Sequence, residues 1–473
     1  IARDRGDKRV MLPTNESAKE IKKVIPNAII TIKCFDHSYA HALSSYYSSP
    51  FDNATLITMD GYGDGAFSKA YVIQDGKLRH ISKCDYVIET KGYGGSIGEI
   101  YSHFTGLLGF QPLADEGKVE ALAAYGNHQN QIYKDLIGLV ELDTKTHRLT
   151  INIEKSEKFF ARNNIEQILK KHTKEDISSA VQHFLEDSTI PYFKDIIATT
   201  GIDNLCLSGG VAANVIMNLK AFEEVTKNLH IAPAMGDEGT AEGAAIAIML
   251  ENGHSHKTLS WTRKFSMPYL GTSYSGDQVK NTLTNNELIN HNYLGEDWHH
   301  HVAKLLADGK IGGLFQGRME WGPRALGNRS IIATANNSST RIKINKEIKR
   351  RPEFQPFCPS ILVEEKDRLF ESSYNNKHMT CAFRMKEEFI EDLPSAVHID
   401  GTARVQFVSN DTNPSYHKLL NEIKQLTGYG VLINTSFNKH GRTIVETPQD
   451  AINDFIDTDL DFLIIEGHLV TRT

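Results

Sequence analysis

The sequence predicts an α/β protein of two domains. Short β-rich runs at 54–59 and 205–207 each lead into a glycine-rich turn, and the stretches between such runs carry helical periodicity. A polar region over 252–275 then separates this half from a second α/β segment that begins near Asp277. The expected domains are 1–275 and 276–473, each long enough to bury a core.

Taken in order, residues 29–33, 54–59 and 205–207 read as buried strands, each followed by polar or glycine punctuation. Residues 177–199 read as an amphipathic helix, broken or kinked at Pro191 because proline removes a backbone donor and crowds the preceding turn. The triplet His299, His300, His301 lies in a helical context and reads as wet surface. In the second half 311–315 and 431–433 read as strands, and Arg404 sits in a strand-like run.

Bulk properties exclude several classes. A net charge of -7 and a pI near 6.3 give no global attraction to a phosphate backbone, so no nucleic-acid partner is expected. There is no run of eighteen apolar residues and no signal sequence from Ile1 to Arg5, so the expectation is a cytoplasmic protein without a membrane partner. The five cysteines show no CxxC spacing and read as reduced thiols. The chain opens on Ile1 and a polar segment, so a further amino-terminal piece is expected to precede it.

The first chemical constellation begins at Asp36, a helix cap for His37 and His41, whose i, i+4 spacing puts both imidazoles on one helical face. The 54–59 strand ends in Asp60, Gly61, Tyr62, Gly63, a turn where a carboxylate completes such a site and backbone amides face phosphate. Two more turns of this kind follow, Ser208, Gly209, Gly210 to Asn214, and Gly236, Asp237 to Gly243. Small residues there let a backbone approach a nucleotide, and Asp237 adds an oxygen ligand.

The second constellation is GRMEWGPRALGNRS, 317–330, with three arginines in twelve residues, read as an anion clamp. NTSFN, 434–438, offers Asn434 and Ser436 as neutral partners for phosphate or ribose. The one dense basic stretch, 343–351, reads as either a solvated helix face or a substrate contact.

These spellings resemble the O-carbamoyltransferase family that includes nodulation protein U and the cephamycin and tobramycin carbamoyltransferases. The resemblance implies an actin/sugar-kinase-like (ASKHA) first domain similar to tRNA threonylcarbamoyl transferase, lacking its first strand here, and a YrdC-like second domain. It implies that His37, His41, Asp60 and Asp237 hold Fe²⁺ or another divalent cation, and that Gly61, Gly63, Ser208, Gly209, Gly210, Asn214 and Gly236 line a nucleotide cradle. It also implies that Arg324, Lys349, Arg351 and Arg404, with Asn434 and Ser436, bind carbamoyl phosphate and ATP with Mg²⁺, and that Glu99, Asp115, Glu116 and Lys118 line an acceptor pocket. The chain departs from the family at Pro352 and Gln355, beside Pro356 and Phe357, and at Gly441, Arg442, Thr443. The implied activity makes carbamoyl adenylate and passes the carbamoyl group to a small hydroxyl-bearing acceptor. The alternatives are a tRNA threonylcarbamoyladenosine-type synthase and a nucleotide-binding regulator without turnover.

Overall fold

The computed structural model describes residues 14–27, 29–88, 94–264, 267–295 and 297–473. It is mixed α/β, and its contacts divide the chain into two compact units, 1–265 and 266–473. The division falls before the expected 275 because residues 268–272 are tied to the second unit. The Gly271 N–H donates to Met319 O at 3.0 Å, and the Trp321 N–H donates to Pro268 O at 2.7 Å.

Beside a two-stranded hairpin of Val140–Asp143 with Arg148–Ile151, the first unit is built on a five-stranded sheet among the described residues. Its strands are β1 (Ala54–Gly63), β2 (Ala66–Gln74), β3 (Lys77–Asp85), β4 (Leu205–Ser208) and β5 (Leu229–Ile231), in the order β3-β2-β1-β4-β5. The first three are antiparallel neighbours, while β1, β4 and β5 run parallel. Parallel pairing of Thr58 with Ser208 brings the turns after β1 and β4 to the same end of the sheet. The functional turns therefore gather at one edge although about 150 residues separate them in sequence.

The helices that serve this edge are α1 (His37–Tyr47), α2 (Ile97–Leu107), α3 (Glu116–Ala123), α4 (Lys174–Thr200), α5 (Val215–Glu224) and α6 (Glu238–Glu251). Asp36 caps α1 as expected, accepting the Tyr39 N–H at 2.9 Å, and its second oxygen pairs with Lys69 of β2. Leu43, Tyr46 and Tyr47 of α1 pack with Leu56, Tyr71 and Ile246. Burying each large apolar side chain of this cluster contributes about 1.5–3 kcal/mol.

α1 and α6 approach so closely that a Cβ on Gly243 would lie 1.8 Å from Ala40 O. Replacing Gly243 with alanine should therefore lower the unfolding free energy by roughly 3 kcal/mol in denaturant melts, the upper range for overpacking. A loss under about 1 kcal/mol would show that the two helices part easily.

One expectation fails here, and of a second the break fails. Residues 29–33 form no strand, and Ile29 and Ile32 are exposed, because an apolar run without a neighbouring strand has nothing to pair with. The helix α4 runs unbroken through Pro191 for 27 residues, since packing of its buried residues on both sides of the proline outweighs one lost hydrogen bond.

The second unit is built on an eight-stranded mixed sheet. Its strands are β6 (Ile289–Tyr293), β7 (Gly312–Phe315), β8 (Arg329–Thr334), β9 (Cys358–Leu362), β10 (Gln406–Val408), β11 (Val431–Ser436), β12 (Phe462–Ile465) and β13 (His468–Arg472). They lie in the order β10-β9-β11-β8-β7-β12-β13-β6. Helices α7 (Trp298–Ala307) and α8 (Pro414–Thr427) cover one face through Val302, Leu306, Leu419 and Ile423, packed on Leu314, Ile332 and Leu432. His299 is correspondingly buried, stacked on Trp298 with its Nε2 3.0 Å from Ser415 Oγ, so the histidine triplet is not uniformly surface. Among the described residues, no helix is long and apolar enough to cross a membrane.

Candidate active site

In the first unit the four expected cation ligands converge. His37, His41, Asp60 and Asp237 offer ligand atoms that all lie within 4.8 Å of one another. The His37 and His41 Nε2 atoms are 3.2 and 3.1 Å from Asp60 Oδ2, and 3.5 and 3.6 Å from Asp237 Oδ1. A cation bound at about 2.0–2.2 Å has ligand edges of about 3.3–3.6 Å when tetrahedral and about 2.8–3.1 Å between octahedral neighbours. The four histidine–carboxylate separations fall in this range, so the donor set fits a divalent ion.

Electrostatics agree with the geometry. His41 is fully buried, and neither ring nitrogen makes a well-formed hydrogen bond. Burial disfavours its charged form, yet the Asp237 and Asp60 carboxylates outweigh this and hold its pKa up at about 9. Burial pushes Asp60 the other way, but His37 and His41 hold its carboxyl well below the usual range. Such a site has an excess of electron pairs that either protons or a metal ion satisfies.

Neighbouring groups are occupied in orienting this cluster. The Gly210 N–H donates to Asp60 Oδ1 at 2.6 Å, and Ser208 Oγ donates to His41 O at 3.0 Å. Gly209 is in the left-handed region at φ 90°, where a Cβ would meet Met59 O at 2.2 Å. A Cβ on Gly63 would meet the His37 ring at 2.2 Å, whereas one on Gly236 would meet only the far end of the Glu238 side chain. Asn214 caps α5 and exchanges two hydrogen bonds with Gln182, so its side chain is used internally. Of the expected cradle, Gly61 leaves open space above its backbone, where a Cβ would find no atom nearer than 3.9 Å.

The residues expected to line an acceptor pocket divide. Glu99 accepts the Tyr86 hydroxyl and the Gly95 N–H at 3.0 Å, and its helix α2 touches the Asp60 turn, where Ser96 Oγ donates to Gly61 O at 2.6 Å. Tyr62 packs edge-on against Tyr86 at 4.7 Å. Asp115, Glu116 and Lys118 instead hold their own turn. Lys118 pairs with Asp115 at 2.8 Å, and Glu116 accepts from Ser102 Oγ and the Leu113 N–H, both at 2.7 Å.

In the second unit, the arginine-rich loop joins β7 to β8. Its fold is set by Glu320, a buried residue whose Oε1 accepts the N–H groups of Leu326, Asn328 and Arg329 at 2.8, 2.7 and 3.1 Å. Arg329 is fully buried, lies 3.5 Å from the centre of the Phe315 ring and donates to the carbonyls of Gln316, Gly317, Asn328 and Thr272. Arg318 donates to the Leu270 and Gly271 carbonyls at 2.7 and 3.1 Å. The clamp reading of the whole loop is thus corrected, because two of its arginines satisfy backbone carbonyls that the loop's own fold would strand.

The other cations expected at this site are Arg324, Lys349, Arg351 and Arg404. Lys349 is buried where a π-helical turn, Ile344–Ile348, ends the basic stretch. Its ammonium donates to Ser436 O and Asn438 Oδ1 at 2.5 and 2.7 Å and reaches Ser436 Oγ at 3.2 Å. Burial, with Arg351 nearby, pulls its pKa down to about 7. Arg351 donates to Asn345 Oδ1 at 2.6 Å and lies over Phe357 at 4.4 Å. Its own pKa is pulled down to about 10, chiefly by burial and also by Arg404. Arg404 Nε donates to Cys358 Sγ at 2.7 Å. Among the described residues neither Arg351 nor Arg404 has a carboxylate partner. Two cations without a carboxylate partner beside a buried lysine make a candidate anion site. Asn438 joins it outside the sequence expectations, although its two-residue offset from Ser436 at a strand end was a readable signal. Arg442, by contrast, is held by Asp454 and Asp457.

The chain belongs to the carbamoyltransferase family. Family models described as the carbamoyltransferase N-terminus and C-terminus match residues 12–246 and 303–472. It is 45% identical over 466 residues to an uncharacterized protein of Methanocaldococcus jannaschii, covering 96% of this chain and 76% of that one. It is 31% identical to nodulation protein NolO of Bradyrhizobium diazoefficiens, over 92% of this chain and 79% of the relative. It is 32% identical to the 3'-hydroxymethylcephem-O-carbamoyltransferase of Streptomyces clavuligerus, over 52% and 45% respectively. A solved HypF from T. kodakarensis shares 16% identity at a TM-score of 0.36, over 51% of this chain and 39% of that one, a likeness too slight to carry an argument.

Proposed function

We propose that this carbamoyltransferase makes carbamoyl adenylate from carbamoyl phosphate and ATP in its second unit, and that its first unit delivers the carbamoyl group to a hydroxyl of a small metabolite. The observation that carries this reading is the cluster of Lys349, Arg351 and Arg404, three converging cations, two of them without a carboxylate partner among the described residues. The strand order of the first unit supports an actin/sugar-kinase-type fold there, and the second unit is read as YrdC-like.

Water cleaves carbamoyl phosphate to carbamate and inorganic phosphate, a carbamate oxygen then attacks the α-phosphorus of ATP, and pyrophosphate departs. Arg324, Arg351, Arg404 and Lys349 neutralise the charge that gathers on the phosphoryl oxygens, with Mg²⁺ accompanying ATP. The acceptor hydroxyl then attacks the carbamoyl carbon, loses its proton and expels AMP. His37, His41, Asp60 and Asp237 would hold a divalent ion such as Fe²⁺, which when bound supplies Lewis acidity toward the carbamoyl oxygen. Gly210 and Ser208 keep Asp60 and His41 aimed at the cluster.

Incubation with ATP and carbamoyl phosphate should yield AMP and pyrophosphate. Arg324→Ala should lower pyrophosphate release by about 10²-fold or more, the usual effect of deleting one oxyanion donor. Release at the normal rate in that variant would remove Arg324 from the anion site.

A further inference from the structure

We infer that the second unit holds a further ligand site, a cavity at the Thr334 end of β8 that takes a small zwitterion with a carboxylate and a primary ammonium, and that its occupancy repositions Lys349. The coupling to Lys349 rests on the reading of the anion site given above, whereas the binding does not.

The cavity has a volume of about 650 Å³, a size that suits a small organic molecule. One wall is formed by Asp308 at the end of α7 and by Thr334 and Asn336 at the end of β8. The other is the helix Ser338–Lys343 with the π-helical turn that follows it, which bring Lys343, Lys346 and Glu347. In the antiparallel register of β8 and β11, Ser330 pairs with Ser436 and Thr334 with Leu432. Lys349 reaches Ser436, so the cavity stands at the opposite end of β8 from the anion site, about 13 Å along the strand.

Charge selects the ligand. Asp308 is the C-cap of α7, the negative end of that helix, so its carboxylate gains nothing from the helix it ends. Among the described residues Asp308, Lys346 and Glu347 have no ion-pair partner, and Lys343 reaches Asp461 at 3.6 Å. An ammonium satisfies Asp308, and a carboxylate satisfies Lys343 and Lys346, with Thr334 and Asn336 as neutral partners. A dianion would be repelled by Asp308 and Glu347, and a dication by the two lysines. One charge of each sign therefore matches the walls.

The π-helical turn Ile344–Ile348 serves both sites. It carries Lys346 and Glu347 to the cavity and buries Asn345 and Ile348. Asn345 Oδ1 accepts from Arg351 Nε at 2.6 Å, and the Lys349 N–H donates to Ile344 O at 2.8 Å. That bond runs to the fifth residue back, where an α-helix uses the fourth, and Arg350 follows in the left-handed region at φ 45°. Such backbone is costly for a non-glycine residue and has a regular α-helical alternative. Conversion to it would turn Lys349 by about 100° around the helix axis. A ligand that draws Lys346 toward Asp308 binds the two arrangements unequally, and so shifts the balance between them.

The test uses three probes of one chain length, 6-aminohexanoate, hexanoate and hexylamine, in calorimetric titration of the whole chain. The zwitterion should bind at least about tenfold tighter than either singly charged probe. Asp308→Asn, at an exposed position, should leave basal pyrophosphate release unchanged and bring 6-aminohexanoate within about threefold of hexanoate. No binding, equal affinity of the three probes, or a preference that survives in Asp308→Asn would overturn the site. Displacement of 6-aminohexanoate by ATP would overturn it as well, by making the cavity an arm of the nucleotide site. Saturating 6-aminohexanoate should also alter hydrogen exchange of the 344–351 amides and change pyrophosphate release by about fivefold or more. Unchanged exchange, or unchanged release from an active chain, would overturn the coupling. Altered exchange in a chain that releases no pyrophosphate would uphold the site and its link to Lys349 and remove the adenylate reading instead.

Discussion

Lys349→Met should depress ATP- and carbamoyl phosphate-dependent pyrophosphate release on the order of 10³-fold and, at pH 7, make the protein more stable. Both effects come from one fact. The ammonium is buried among Ser436 and Asn438, where burial pulls its pKa down to about 7. In the unfolded chain a lysine titrates near 10.4. Between those two values the unfolded state binds the extra proton, so stability of the unaltered protein rises with pH across about 7 to 10. Below about 7 both states are protonated and the full burial penalty applies, while above about 10.4 it is gone. Methionine fills a similar volume with no charge and should remove this dependence. Denaturant melts at pH 7 and pH 9 check it, since the difference between protein and variant should shrink at the higher pH. A variant that is less stable at pH 7, or that releases pyrophosphate normally, would mean that Lys349 is a structural pin rather than a phosphate partner.

His41→Ala should reduce acceptor carbamoylation by on the order of 10³-fold while leaving AMP and pyrophosphate formation within about threefold of normal. His41 is the fully buried member of the cation cluster, within 3.6 Å of both carboxylates. Without it Asp60 and Asp237 lose the base that separates their charges, so divalent metal content per chain, measured by mass spectrometry, should fall to near zero. None of the side chains proposed to neutralise an anion in the second unit is changed. Equal loss of pyrophosphate release and of carbamoylation would defeat the division of labour between the two units.

The cation cluster was legible because its parts are local. Asp36 caps the helix that displays His37 and His41 one turn apart, and glycine turns mark the strand ends that carry Asp60 and Asp237. The anion site was legible only in part. Arg351 and Arg404 have no carboxylate partner among the described residues, but Arg318 and Arg329 look the same in sequence and serve backbone carbonyls instead. The Asp115, Glu116 and Lys118 group likewise satisfies itself at a turn, which no spacing distinguishes from a pocket.

What the amino-acid order determined alone was residue chemistry at short range: an α/β alternation, a histidine pair on one helical face, glycine at the turns and cations near 324–351. Those features depend on periods of two or 3.6 residues and on backbone sterics, which act over a few neighbours. Only the tertiary structure decided which polar groups already have partners. Glu320 draws three amides into one loop, Lys349 loses its water, and Asn434 is left with a single bare oxygen. Burial and hydrogen-bond saturation are set by chain segments far apart in sequence, so no local pattern records them.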